Sequence, residues 1–356
     1  MNKRIVFTGG GTAGHVIPNL VLMGSLDKKW QIDYIGSGKG IEASMIKAKG
    51  LPFHPIRSGK LRRYFSWQNF VDPLNIFIGM LQSYRLLGKL KTDVVFSKGG
   101  FVAFPVVVAA WLRRIPVIAH ESDMTPGLAN RLSFPFVSKI CVAFKAAQSH
   151  FKNATKVEMT GNPIRAELLE GNRLQGLTYC GFNESKPCIL FVGGSQGAKT
   201  LNDVLRASLP TLCETYQVIH LCGSGKLDPT LAKKTGYFQM EYADDILPHL
   251  YAAADIVVSR SGANTLYELL ALKKPHLLIP LSSLTSRGEQ LQNANHFKSL
   301  GMSEVRTEES LTPKILIDAI EAVMATRLQK IEKMQALALE PANQKILRLI
   351  EAALPG

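Results

Sequence analysis

Short apolar runs recur along this chain. Each closes on glycine, serine or a charged residue, and helically spaced apolar positions follow. Residues 4–8, 31–35, 93–97 and 116–120 predict strands in the first half; 188–192, 255–259 and 277–280 predict strands in the second. Between them the pattern predicts a helix over 16–26 and an apolar helix carrying Leu74, Phe77, Ile78, Leu81 and Leu86. A last helical segment, 341–354, is long enough to pack on either half. Strands alternating with helices form a parallel, doubly wound sheet, an α/β fold. Such sheets bind ligands beyond the carboxyl ends of their strands, where His15, Gly99, Gly100 and Glu121 fall.

Two of these strand ends are glycine turns. Phe191-Val192-Gly193-Gly194-Ser195-Gln196-Gly197-Ala198-Lys199 reads as strand, tight turn and helix start, and so does the stretch from Ile5 to His15. Glycines let the backbone bend and approach a ligand. The free N–H groups at the helix start then make an anion site. A second repeat is visible. Asp93-Val-Val-Phe-Ser-Lys-Gly-Gly leads through a helix to Arg113-Arg-Ile-Pro-Val-Ile-Ala, and Asp255-Ile-Val-Val-Ser-Arg-Ser-Gly leads through a helix to Lys273-Lys-Pro-His-Leu-Leu-Ile-Pro. Duplication of a Rossmann-type unit explains both pairs, with a linker at 160–163 and domains over 1–163 and 164–340.

Composition narrows this. A chain of 356 residues with 46% hydrophobic residues can bury two cores. No apolar run reaches the ~18 residues of a membrane span; the longest, 101–112, contains Pro105. The chain runs straight into a strand, so no signal peptide is expected. Five scattered cysteines without close pairing (Cys141, Cys180, Cys188, Cys213, Cys222) read as reduced and cytoplasmic. The net charge of +14 is one-sided: residues 1–163 hold 22 Lys and Arg against 8 Asp and Glu, whereas the remainder holds 20 of each. One half therefore meets a polyanionic surface, nucleic acid or anionic lipid, unless the charge serves solubility alone.

The chemistry sits on the turns. Gly9-x-Gly11-x-x-Gly14 matches the dinucleotide fingerprint in form, but Gly36-Ser37-Gly38 stands where the ribose-binding acid belongs. A nicotinamide or flavin dinucleotide is disfavoured; Gly10, Gly11 and their neighbours still suit a phosphate, diphosphate or sugar. His15 should begin the following helix, as a neutral general base or as a packed capping residue. In Arg260-Ser261-Gly262-Ala263-Asn264-Thr265-Leu266-Tyr267-Glu268, the helix start suits a phosphate. Thr265 and Glu268 have the spacing of a capping box, and Glu268 is also placed to hold a ribose diol. Ser286 to Ala294 is a polar cluster that suits sugar hydroxyls or opens an ordinary helix. Arg165, just past the linker, is placed to stabilise a leaving diphosphate. No metal-ligand spacing, nucleophile elbow or Walker lysine occurs.

Several motifs, in order, resemble one family. They are Gly9-Gly-Gly-Thr-Ala-Gly-His, Ser58-Gly-Lys-Leu-Arg-Arg, Phe96-Ser-Lys-Gly-Gly-Phe-Val and His120-Glu-Ser-Asp, then Pro126-Gly-Leu-Ala-Asn, Gly193-Gly-Ser-Gln-Gly, Arg260-Ser-Gly-Ala and Ser286-Arg-Gly-Glu-Gln-x-x-Asn-Ala. From Gly9 to about Ala294 the chain resembles the MurG family of cell-wall N-acetylglucosaminyltransferases. The resemblance implies the GT-B fold, two Rossmann-like domains facing a cleft, with the helix at 341–356 packing back on the first. It implies inverting, metal-independent transfer from UDP-N-acetylglucosamine to the C4 hydroxyl of lipid I, giving lipid II and UDP, on the cytoplasmic face of the bacterial membrane. No cofactor and no nucleic-acid partner are implied.

By the same resemblance His15 is the base. Arg165, Gly194, Ser195, Arg260, Ser261 and Thr265 bind the donor, with Ile246 at the uracil, Glu268 at the ribose and Glu289 and Gln290 at the sugar. Thr12, Ala13, Gly14 and Asn130 lie near the donor sugar, while Gly10, Gly11, Gly99 and Gly100 cradle the acceptor diphosphate. Asp123 and Glu289 stand where many members have Asn and Gln. The basic half becomes the lipid-acceptor domain, with Leu74, Phe77, Met80 and Trp111 as an apolar patch beside Arg113 and Arg114 at an anionic membrane surface. If instead Leu74, Phe77 and Met80 are core residues, that patch is absent. A dinucleotide-dependent oxidoreductase and a non-catalytic nucleotide-sugar or lipid binder are the competing classes.

Overall fold

The structure is a computed structural model. It describes residues 3–59, 68–151, 153–194, 197–282, 288–337 and 340–354, with side chains 68–71 left aside. The chain divides into two compact units, Met1–Ile164 with Leu339–Gly356, and Arg165–Ala338.

In unit 1, strands and helices alternate: β1 (Lys3–Thr8), α1 (Ala13–Gly24), β2 (Trp30–Ser37), α2 (Ile41–Ala48), β3 (Phe53–Ile56), α3 (Gln68–Lys89), β4 (Val94–Ser97), α4 (Ala103–Leu112), β5 (Val117–Glu121), α5 (Leu128–Ser133), β6 (Lys139–Val142) and β7 (Val157–Met159). All neighbours pair in parallel, in the order β3-β2-β1-β4-β5-β6-β7. The central strands are covered on both faces, so β4 and β5 are buried throughout, which is why they read as unbroken apolar runs rather than alternating ones.

Unit 2 contains α6 (Arg173–Tyr179), β8 (Cys188–Val192), α7 (Lys199–Thr215), β9 (Gln217–Leu221), β10 (Tyr237–Met240), α8 (Leu247–Ala253), β11 (Ile256–Ser259), α9 (Ala263–Ala271), β12 (His276–Leu278), α10 (Glu289–Ser299), β13 (Ser303–Val305), α11 (Pro313–Ala325) and α12 (Arg327–Ala336). Its parallel sheet runs β10-β9-β8-β11-β12-β13. Strand alternation feeds two cores: Ile189 and Phe191 pack with α7 and α11, whereas Cys188 and Leu190 pack with α8. The final helix, α13 (Ala342–Ala352), belongs to unit 1, where Ile346 and Ile350 join the core of Ile5, Phe7 and Leu22.

Both units reverse strand order once, between β1 and β4 and between β8 and β11. These are the switch points where open α/β sheets bind ligands, and the glycine turns follow those four strands. The duplicated basic pairs also have a shared structural role. Arg114 and Lys273 end α4 and α9 in the left-handed region, with φ of 61° and 53°, where a basic side chain also suits the negative end of the helix dipole.

Two expectations change. α1 starts at Ala13, three residues before the predicted 16, so His15 lies inside its first turn. α9 is capped by Gly262 and begins at Ala263. Thr265 therefore sits inside the helix, and there is no Thr265–Glu268 capping box.

Candidate functional site

At the switch point of unit 1, Gly10 N–H donates to Gly99 O at 3.3 Å and ties the two turns together. Gly11 N–H donates to Glu42 Oε2 at 3.1 Å, and Ser37 N–H donates to Oε1 at 3.1 Å. Glu42, fully buried on α2, thus already places a carboxylate in the first glycine turn. Gly10 is glycine for its sake: a Cβ there would lie 2.4 Å from the Glu42 carboxyl carbon. A Cβ on Gly100 would lie 2.4 Å from Gly10 O, and one on Gly99 2.1 Å from Asn130 Oδ1. The amides of Gly10 and Gly11 are committed internally, while those of Gly99 and Gly100 have no partner among the described residues. An anion at this switch point meets the second turn first.

Thr12 caps α1, and Ala13 and Gly14 open it. His15 is half-buried, and its Nδ1 lies 3.0 Å from Thr12 Oγ1. Beside these turns, Lys98, only 1% exposed, precedes Gly99. Its Nζ lies 2.6 Å from His120 Nδ1 and 3.1 Å from Asn162 Oδ1, and it also meets Ser122 Oγ. Glu121 is buried, and its carboxylate accepts from the amides of Asp123 and Gly127 and from Asn130 Nδ2 at 2.8 Å. Burial pushes the Glu121 carboxyl up, with the nearby Asp123 adding to it.

In unit 2, β8 opens into Gly193 and Gly194; the expected Ser195 lies outside the described residues, as do Ser286, Arg287 and the basic stretch 60–67. Arg165 Nη2 donates to Glu268 Oε1 at 3.0 Å, and buried Tyr251 also bonds Glu268. Burial pushes the Glu268 carboxyl up against the opposing pull of Arg165. The Arg165 Nε is a buried donor with no partner among the described residues. Arg260 is turned inward, with Nη1 donating to Ile279 O and Pro280 O at 3.1 Å and Nη2 to Glu308 at 2.7 Å. Ser261 Oγ donates to Gln290 O at 2.8 Å, and Leu281 N–H donates to Gln290 Oε1 at 3.0 Å. These bonds draw the starts of α9 and α10 together beyond β11 and β12. Glu289 begins α10, and Ile246 caps α8. Among the described residues no group of three His, Cys, Asp or Glu is gathered as for a metal ion.

The expected patch of unit 1 is on the surface. Leu74, Phe77 and Trp111 are 59%, 53% and 51% exposed, with Leu81 and Tyr84 continuing the same helix. Arg113 stacks over Tyr84 at 4.1 Å. Met80 is half-buried, and Arg114 is exposed. Leu74 and Phe77 are therefore not core residues. A cavity of about 510 Å³ lies at the amino ends of β4–β7, lined by Trp111, Arg114, Phe136 and Lys156, on the sheet edge opposite the glycine turns. Among the described residues no helix is long and apolar enough to cross a membrane.

Sequence reasoning singled out Arg165 and Glu268 separately but not their contact. It missed Glu42, Tyr251 and the burial of Lys98. Glu42 reads as an ordinary first-turn acid, and only its closeness to the strand end at Ser37 hinted at more.

Parallel sheets with glycine turns at both switch points are the frame of nucleotide-sugar transferases, and two family models agree. The Glycosyltransferase family 28 N-terminal domain matches residues 5–142, and the family 28 C-terminal domain matches 188–349. A relative from Legionella pneumophila (strain Paris), named UDP-N-acetylglucosamine--N-acetylmuramyl-(pentapeptide) pyrophosphoryl-undecaprenol N-acetylglucosamine transferase, is 56% identical over 352 residues, 99% of this chain and 97% of the relative. One of the same name from Clostridium kluyveri is 49% identical, covering 98% of this chain and 99% of its own. The crystal structure of Acinetobacter baumannii MurG shares the fold, with a TM-score of 0.77 at 24% identity over 98% of this chain and 99% of that one. The chain belongs to the MurG family of these glycosyltransferases.

Proposed function

We infer that this protein transfers N-acetylglucosamine from UDP-N-acetylglucosamine to the lipid-linked N-acetylmuramyl-pentapeptide, lipid I, releasing UDP and lipid II. The observation that carries it is the 56% identity, across 99% of the chain, to a relative named for that reaction. In this reading His15 takes the proton from the C4 hydroxyl of the acceptor sugar. That oxygen attacks the anomeric carbon, the bond to UDP breaks, and configuration inverts. Positioning and stabilisation of the leaving diphosphate supply most of the rate.

The amides of Gly99 and Gly100 meet the acceptor diphosphate. In unit 2 the donor lies over Gly194, Ser195 and the starts of α9 and α10, with Ser261, Thr265 and Arg260 shaping that floor. Arg165 offers its spare Nε to the diphosphate. Glu268 holds the ribose, the backbone at Ile246 meets uracil, and Glu289 and Gln290 meet the sugar. Helix starts and one arginine give the leaving group its stabilisation without a divalent cation. The exposed Leu74, Phe77 and Trp111, with Arg113 and Arg114, support docking on an anionic membrane surface at its cytoplasmic face, and nucleic acid is no partner.

The test is UDP release from UDP-N-acetylglucosamine with a lipid I analogue and EDTA. Release that needs the acceptor and survives EDTA is expected. Absence of release from folded, UDP-binding protein would overturn the assignment in favour of a binding protein.

A further inference from the structure

Lys98 is a buried cation whose charge state the surrounding bonds define. His120 Nε2 lies 2.8 Å from Gly161 O, and a carbonyl only accepts, so Nε2 carries the proton. Burial, followed by the lysine beside it, pushes His120 far down, so the ring is neutral and Nδ1 is an acceptor. Ser122 Oγ donates to Asn162 Oδ1 at 3.0 Å, so toward Lys98 it too accepts. Asn162 Oδ1 is the third acceptor, 3.1 Å from Nζ. Three acceptors around one nitrogen require three donors, which an ammonium has and a neutral amine lacks.

Among the described residues no carboxylate bonds this ammonium directly. The charged and titratable groups facing it are Glu121 and His120 on β5, Asp123 just beyond, and Cys141 on β6, a thiol that burial pushes up to about 12 and keeps neutral. Glu42 stands behind the neighbouring turn. Lys98 is also packed into the turns themselves: a Cβ on Gly9 would lie 3.1 Å from the Lys98 Cβ. In so buried a site a charge acts over several ångströms with little screening.

We infer that Lys98 is a positioning counter-charge for the acceptor diphosphate: its ammonium, fully bonded beside the Gly9–Gly11 and Gly99–Gly100 turns, sets acceptor affinity rather than turnover. This rests on the proposed acceptor site. All three N–H groups are used within the protein, so Lys98 does not touch the ligand and works through the field it places behind the Gly99 and Gly100 amides. Burial holds its pKa down to about 7, with Glu121 and Asp123 opposing. A bound dianion favours the ammonium, so acceptor binding takes up a proton when the pH lies above that value.

The experiment measures acceptor and donor KM from about pH 6 to about pH 8.5 for wild type, Lys98→Met and Ser122→Ala. In wild type the acceptor KM rises about tenfold with pH, the usual scale of such a coupling, while the donor KM does not follow. Lys98→Met has a raised, pH-independent acceptor KM and an unchanged kcat. Ser122→Ala removes one acceptor from the ammonium and moves the midpoint to lower pH, which decides the matter should Lys98→Met fail to fold. A wild-type acceptor KM in Lys98→Met, persistence of its pH dependence, or an unmoved midpoint in Ser122→Ala overturns the inference.

A second readout does not need turnover. With UDP saturating unit 2, inorganic pyrophosphate is titrated calorimetrically into wild type and Lys98→Met in buffers of different ionisation enthalpy. Greater proton uptake by wild type supports the inference, and equal uptake overturns it. Absence of transfer alongside that uptake would remove the transferase reading and leave the linkage standing.

Discussion

The two units share a topology and differ in what their glycines are for. In unit 1, Gly10, Gly99 and Gly100 are glycine because the protein's own atoms lie within 2.4 Å of where a Cβ would stand. The turns are packed from inside by Glu42, Asn130 and each other. In unit 2, Gly194 and Gly262 would place a Cβ with nothing within 4 Å among the described residues. Gly194 is glycine for its left-handed φ of 87°, whereas nothing internal requires Gly262 to lack a side chain. A glycine turn at a switch point is thus two different objects. In unit 1 it is a charge-filled floor, with Gly11 left open; in unit 2 Gly193 and Gly197 are packed against Ala198 N and Cys222 O, while Gly194 and Gly262 face open space. In unit 2, Arg165 Nε is a buried donor left without a partner among the described residues.

The sharpest way to break this contrast is at His15, the one candidate base, on the floor of unit 1. His15→Ala should lower kcat by about 10²–10⁴-fold, the usual worth of a positioned base, with donor KM nearly unchanged. Steady-state UDP release decides it, and unchanged turnover would remove His15 from that role.

Acid should separate the units next. In unit 2, His220 and His276 are buried and pushed down to about 3 and about 4, in both cases chiefly by burial. His276 lies 2.7 Å from Lys274 O and 2.5 Å from Ser303 Oγ, and His220 lies between Tyr237 and Asn202. A histidine depressed in the folded state binds its proton only when unfolded, so its contribution is whole above the ordinary value of about 6.5 and is lost as pH falls below it. By pH 5 each should cost about 2 kcal/mol; half-buried His296, also pushed down by burial, adds to unit 2, while burial pushes down His120 in unit 1. All tryptophans, Trp30, Trp67 and Trp111, lie in the first half. Urea unfolding followed by tryptophan fluorescence reports unit 1, and circular dichroism reports both. The second transition should move further between pH 7 and pH 5; equal movement would refute the difference.

Smaller still is Gly10→Ala. Its Cβ would collide with the Glu42 carboxyl group, so unit 1 should lose about 1–3 kcal/mol by overpacking. Double substitution with Glu42→Ala should recover part of that loss. No recovery would mean that Glu42 is not what makes position 10 glycine.

Much of this frame was legible in the order of residues. Buried parallel strands such as β4 and β8 announce themselves as apolar runs, and their glycine ends mark the switch points. The short strands β7 and β13, three residues each, carry too little pattern to be seen. Two buried charges were missed for a physical reason. Glu42 and Lys98 look like surface residues because solvation is the default for an ionised group. Only the fold supplies the amides and acceptors that let them be buried. Thr265 and Glu268 had the spacing of a cap, but Gly262 reached the start of α9 first. Arg165 and Glu268, 103 positions apart, share no local signal.

The gentlest test is the mirror of Gly10. Gly262 has φ of −63° and ψ of 140°, ordinary for any residue, and open space at its Cβ. Gly262→Ala should leave stability within about 0.5 kcal/mol, as surface substitutions usually do. If the donor diphosphate approaches the start of α9, however, the added methyl enters the space it needs. Donor KM should then rise about tenfold, the scale of a little over one kcal/mol, with acceptor KM unmoved. The same atom added to Gly10 harms the fold, and added to Gly262 it should harm only binding. An unchanged donor KM would mean that Gly262 is open by accident and that the contrast between the turns ends at Gly194.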